Sequence, residues 1–127
     1  PANSPRLIGA ASLFLALGRY REAEDLYALL ARGAPSMYMA SVGLGISLCQ
    51  LAQNEKAVSV LEDVIERAPG QALAWYWLGR ACAGSGRRDE ARQSFARCVK
   101  LNPAFQSEID AFLGKQSEEY RPPVPTH

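Results

Sequence analysis

A 34-residue period constrains this chain more than any other feature. Pro35, Pro69 and Pro103 stand at that spacing, and so do Ala23, Ala57 and Ala91. Larger residues keep the register at Tyr27, Leu61 and Phe95, and mid-sized ones at Leu30, Val64 and Cys98. Upstream, Phe14, Leu48 and Cys82 align, as do the small residues Ala11, Gly45 and Gly79. Several columns aligned in one register define a repeat, and a unit of this length buries its apolar face only by stacking on neighbours. Three units, residues 4–37, 38–71 and 72–105, fill most of the 127-residue chain.

Each unit reads as two helices. In the first, Leu7, Phe14 and Leu17 form an inward face, Gly18-Arg19 make a turn, and Leu26, Leu29 and Leu30 point inward from a second helix that Pro35 stops. The second unit repeats this with Leu44, Leu48 and Leu51, a turn at Gln53-Asn54 in which Asn54 is placed to cap, then Val58, Leu61 and Ile65. The third uses Trp75, Leu78 and Cys82, the turn Gly84-Ser85-Gly86, then Ala91, Phe95 and Val99. Small residues at Ala11, Gly45 and Gly79 allow each helix pair to approach closely, with the larger column filling the space beside them. After Pro103 the stripe Phe105, Ile109, Phe112 predicts a further helix over 104–119, which covers the last apolar edge as the end of such an array requires. The tail from Arg121 to His127 is too rich in proline for a helix, so 120–127 is expected to be extended.

The order Trp75, Leu78, Gly79, Ala91, Phe95, Pro103 resembles the tetratricopeptide repeat (TPR), and residues 4–105 follow its pattern. Unit one departs from it, with Leu7 in the tryptophan place and Ala10-Ala11 in place of leucine and glycine. The resemblance implies an all-α, right-handed α-solenoid of three helix-turn-helix repeats closed by a capping helix. It also implies a concave groove lined by the first helix of each unit. The matching groove positions are Ile8, Ser12 and Leu15 in unit one; Met39, Val42, Ile46, Cys49 and Gln50 in unit two; and Leu73, Tyr76 and Arg80 in unit three. Most are apolar, so the implied ligand is an apolar or amphipathic helical segment of a protein client. The clamp with which some TPR proteins grip acidic chaperone tails is absent, because its places hold Ile8, Ser12, Gly43, Leu73 and Trp77.

Composition narrows the function class. Fourteen basic against thirteen acidic residues leave a formal charge of +1, which argues against a nucleic-acid binder. No apolar run reaches the length of a membrane span. Three cysteines without a C-x-x-C exclude a disulfide framework or zinc cluster and point to a reducing, cytoplasmic compartment. The sole histidine is His127, so little acid–base or metal chemistry is available and no cofactor is expected. Carboxylates at Glu22, Glu24 and Asp25, and at Glu62, Asp63 and Glu66, fall on solvated helix faces rather than in a dry cleft. Gly43 to Ser47 lies inside a helix and is no phosphate loop. Cys49 is expected in the groove with nothing basic beside it, hence as an inert thiol. Charge is uneven: residues 70–103 hold six basic and two acidic residues, residues 36–69 two basic and four acidic. The third unit is thus suited to steering an acidic flank of a partner.

A non-enzymatic binding protein follows, and two forms of it are expected. The stretch from Gly18 to Gln50 is similar to the first two repeats of bacterial type III secretion chaperones, which implies a small chaperone or adaptor whose client is a secreted subunit. Arginine outnumbers lysine eleven to three, which fits a GC-rich bacterial source. The other form is a structural TPR module of a larger machine for pilus assembly, cytochrome maturation or polysaccharide export. Self-association is compatible with either.

Overall fold

In the computed structural model, residues 4–34 and 36–119 are described, and they form seven α-helices. The expected stop at Pro35 and the proline-rich tail over 120–127 lie outside the described residues. The helices are α1 (Ser4–Ala16), α2 (Tyr20–Gly33), α3 (Tyr38–Gln50), α4 (Asn54–Arg67), α5 (Ala72–Gly84), α6 (Arg88–Leu101) and α7 (Gln106–Glu119). First helices begin at Ser4, Tyr38 and Ala72, and second helices at Tyr20, Asn54 and Arg88, so both series keep the 34-residue register. The chain is an all-α, right-handed solenoid of three helical hairpins with a C-terminal cap.

The hairpin turns share one backbone solution. Arg19, Gln53 and Arg87 donate their N–H to the carbonyls of Phe14, Leu48 and Cys82 at 2.8, 2.9 and 2.8 Å. The preceding residues, Gly18, Ala52 and Gly86, have φ of 78°, 60° and 78° and donate to Leu15, Cys49 and Ala83. Such paired bonds around a left-handed residue satisfy the last carbonyls of a helix, and glycine is favoured there because it carries no Cβ. Ala52 adopts the same strained conformation without that freedom. Asn54 makes no cap: Gln53 holds the N-cap position of α4 with no side-chain hydrogen bond, and the Asn54 amide instead fills the space beside Gly84.

Within each hairpin the small column receives the large one. A Cβ on Gly45 would lie 2.7 Å from the Leu61 side chain, and one on Gly79 would lie 2.5 Å from the Phe95 ring. Trp75 closes the third unit by donating its Nε1–H to the Pro69 carbonyl at 2.8 Å. Leu61, Val64, Cys82 and Cys98 are fully enclosed. Two residues predicted to point inward do not: Leu17 is 64% exposed and Leu29 54% exposed. Leu17 falls past the end of α1, and Leu29 belongs to the outer face of α2, opposite the core residues Tyr27 and Leu30.

The C-terminal cap begins later than the sequence reading put it. Pro103–Phe105 forms a 3-10 turn, steadied by the Asn102 side chain accepting from the Ala104 N–H at 3.1 Å, and α7 follows from Gln106. Ile109 is buried, and Phe112 packs on Phe95 with ring centroids 6.0 Å apart. The helix continues through Gly114 to Glu119.

Candidate functional site

The first helices α1, α3 and α5 pack side by side, whereas each second helix lies chiefly against the first helices flanking it. An inner row spaced more tightly than the outer row makes the inner face the candidate surface. Three of the sequence-predicted site residues, Ser12, Met39 and Gln50, are exposed, and Ser12 shares a hydrogen bond of 2.9 Å with the Tyr27 hydroxyl. Ile8, Leu15, Ile46, Cys49, Leu73 and Arg80 are half-buried. Val42 and Tyr76 correct the prediction, because both are buried.

Their burial has one cause. Val42 and Tyr76 occupy the same register position, and that position faces the following unit rather than open solvent. Val42 is enclosed with Val64 and Ala74, and Tyr76 lies against Phe105 with ring centroids 5.5 Å apart. They seal the seam between successive units. The accessible apolar part of the inner face is therefore smaller than the repeat pattern predicts, and Met39, 57% exposed, is its most open large side chain.

Arg80 acquires a setting that the sequence did not announce. Its guanidinium stands over the Trp77 ring at 4.4 Å and over the Phe112 ring at 4.6 Å, and it reaches the Tyr76 hydroxyl at 3.5 Å. Aromatic faces attract a cation through their quadrupoles without neutralising it. Among the described residues no carboxylate forms an ion pair with Arg80. Half of this clamp comes from α7, about 30 residues away in sequence, so only the folded cap creates it.

Contrary to expectation, Cys49 has a cation nearby. The Arg80 charge favours its thiolate, but burial dominates and pushes the Cys49 thiol up to about 12 from 9.0. Its S–H points toward the Trp77 carbonyl at 3.9 Å. The thiol is inert by desolvation rather than by isolation.

The basic residues of the third unit are partly committed within the molecule. Arg87 pairs with Glu55 of α4 at 2.7 Å, tying two units together, and with Glu90 at 3.5 Å. Arg97 lies over the Trp75 ring at 6.0 Å. Such exposed pairs are screened by solvent, so they orient more than they stabilise. A depression of about 560 Å³ lies on the other side of the array, between α2, α3 and α4, lined by Ala28, Arg32, Ser41, Val60 and Asp63 among others. Periodicity gave no signal for it, because it exists only where two second helices diverge over α3. No group of three or more potential metal ligands occurs among the described residues, and no described helix is long and apolar enough to cross a membrane.

The tetratricopeptide-repeat family model matches residues 8–51 and 44–104. This chain is a TPR protein. No curated protein sequence matches it. Among solved structures, the TPR array is similar to MamA 41-end from Desulfovibrio magneticus RS-1, at 29% identity and a TM-score of 0.71, with 79% of this chain covered. A MamA RS-1 double mutant gives 29% identity and a TM-score of 0.72 over 80% of this chain. The chain spans a little over half of those two proteins, 56% and 57%. The Yersinia enterocolitica type III secretion translocator chaperone SycD shares the fold with a TM-score of 0.79 at 16% identity, covering 94% of this chain and 92% of its own. The first TPR domain of human RPAP3 does so with a TM-score of 0.76 at 18% identity, over 92% and 97%. TPR arrays are typically protein-interaction modules, and this one carries that general role.

Proposed function

We propose that this TPR protein binds an apolar or amphipathic helical segment of a client protein along its inner face and catalyses no reaction on it. The observation that supports this is the contrast between Met39, an adaptable apolar side chain left 57% exposed, and Arg80, a guanidinium held by aromatic rings with no described acidic partner. A thioether surface takes up varied apolar ridges, and a guanidinium with no described acidic partner, further along the neighbouring first helix, recognises a carboxylate. The client segment is thus apolar with an acidic residue near the end that lies over the third unit. In this reading the protein is a small bacterial chaperone or adaptor of the type III secretion kind, acting in the cytoplasm, and the client is a secreted subunit.

A photo-crosslinking residue placed at Met39 in the native host tests it, with exposed Gln93 on α6 as the outer-face control. The expected product is a crosslink from position 39 to one apolar segment of one protein. A synthetic copy of that segment should bind wild type and bind Met39→Glu at least about tenfold more weakly. Equal crosslinking from position 93, or unchanged affinity in Met39→Glu, overturns the reading. A second reading is a structural module of a larger machine whose groove is permanently filled by a neighbouring subunit. The MamA chains similar at 29% identity are longer than this one, which is compatible with a module within a longer protein. In that case the crosslinked protein co-purifies stoichiometrically and is not released for export.

A further inference from the structure

The hollow between α2, α3 and α4 is a gap in the repeat. Its lining residue Ser41 stands one 34-residue period after Leu7 and one before Trp75. This column shares a register but not a residue type, so it is not one of those that carry the period. Leu7 packs against the first core cluster, and Trp75 against the cluster of the second and third units. Arg97, the register equivalent of the lining residue Asp63, lies over the Trp75 ring at 6.0 Å, so that indole occupies the third unit's counterpart of the hollow. Its Nε1–H is taken up by the Pro69 carbonyl at 2.8 Å. In unit two the side chain at this position ends at a hydroxyl, and about 560 Å³ stays open beside Leu44 and Val60.

Two polar features show what chemistry this space takes. Ser41 is only 7% exposed, yet among the described residues its hydroxyl forms no hydrogen bond, whereas Ser47 on the same helix donates to the Gly43 carbonyl at 2.9 Å. A buried hydroxyl is normally paired, so one that lines an open hollow is suited to a polar group brought by a ligand. At the rim two guanidiniums, Arg32 and Arg67, meet one carboxylate, Asp63, which Arg67 already holds at 2.7 Å. Arg32 is exposed and makes no ion pair among the described residues.

We infer that this hollow is a second peptide site, which takes a tryptophan side chain of a partner protein together with an acidic residue beside it. The indole replaces the side chain that unit two lacks, and its N–H finds an acceptor in the Ser41 hydroxyl. The neighbouring carboxylate lies on the Arg32 guanidinium, whose planar fork matches it, so the excess positive charge of the rim is balanced. Trp75 shows that a ring carried on a backbone packs in this geometry. The volume also falls in the range of roughly 300–1,000 Å³ typical of built ligand sites, enough for a ring and its flanking chain. The site lies across the array from Met39 and Arg80, so it is separate from the inner face.

NMR amide shifts of the isotope-labelled chain, titrated with acetyl-Trp-Glu-amide, test the inference. Saturable shifts are expected at Ala28, Ser41, Leu44 and Val60, with half-saturation on the order of 1 mM. Acetyl-Ala-Glu-amide and acetyl-Trp-Lys-amide should each bind at least about tenfold more weakly. Ser41→Trp supplies the missing side chain from within, so it should abolish the shifts and leave the melting temperature equal or higher. Arg32→Glu, an exposed change on α2, should weaken binding about tenfold, and it carries the test even where Ser41→Trp fails to fold. Shifts that do not saturate, or that fall on inner-face residues such as Met39, overturn the inference. So does equal binding of the lysine probe, or binding that survives Arg32→Glu. Met39→Glu should leave the titration unchanged, which separates failure of this site from failure of the inner-face reading.

Discussion

The two ends of the array are built from equivalent parts, but among the described residues only one of them is covered. At the C-terminal end α7 lays Ile109 and Phe112 over the last hairpin, and Phe105 closes the seam above Tyr76. At the N-terminal end no described element covers α1, and Leu13 and Leu17 face outward. The column Leu13, Ser47, Ala81 sharpens the contrast: the small, partly polar members are fully enclosed, and the large apolar one is 59% exposed. Hydrophobicity of a single residue would rank them the other way. In a stacked repeat, burial belongs to the position and its neighbour, and an interior position selects for size because two helices must approach there.

Substitutions at equivalent glycines break this comparison most sharply. Gly79→Leu drives a side chain into the Phe95 ring and should cost about 3 kcal/mol or more, whereas Gly9→Leu should leave the monomer as stable as before or more so. Chemical denaturation of the two variants measures the difference, and similar midpoints would show that the ends do not differ as described. The cap comes next. Ile109→Ala should destabilise by about 2–4 kcal/mol and expose α7 to proteolysis, while Leu13→Ala at the open end should change monomer stability by less than about 0.5 kcal/mol.

Smaller effects distinguish the turns. Ala52→Gly should stabilise by about 1 kcal/mol, because it relieves a left-handed alanine, and Gly18→Ala and Gly86→Ala should each lose a similar amount. Equal signs for all three would mean that the turns are not equivalent. Alkaline pH should expose the cysteines' contribution. Burial lifts Cys49 to about 12 and Cys82 and Cys98 to about 11, from 9.0 when unfolded. Folded pKa values above the unfolded one stabilise fully below pH 9, and that stability is lost as pH rises from about 9 toward 12, where the unfolded thiols ionise first. Thermal melts at stepped pH should therefore be flat through neutrality and fall above pH 9. At the bottom of the scale, Arg88→Ala, on an exposed side chain at the start of α6, should shift stability by no more than about 0.5 kcal/mol.

The helices, their register and the helix-on-helix contacts at Gly45 and Gly79 were all readable in the chain, because each rests on short-range periodicity and on residue size. Asn54 shows where that reading fails. Its residue type suits a cap, yet the cap position belongs to Gln53 and Asn54 is already the first residue of α4, so its side chain lies against Gly84 in the next unit. Val42 and Tyr76 fail for a related reason: a 34-residue register says which positions are equivalent, and not which of them the following unit covers. The guanidinium clamp at Arg80 is further removed still, since Trp77 and Phe112 meet there only after α7 docks.

The amino-acid order thus settled the family, the helical hairpins and the small-against-large packing, since these depend on contacts within a unit and recur at every turn of the period. Which groove residues stay open and what flanks Cys49 and Arg80 were settled by folding. Those properties arise between units, where exposure depends on what the neighbouring helix covers.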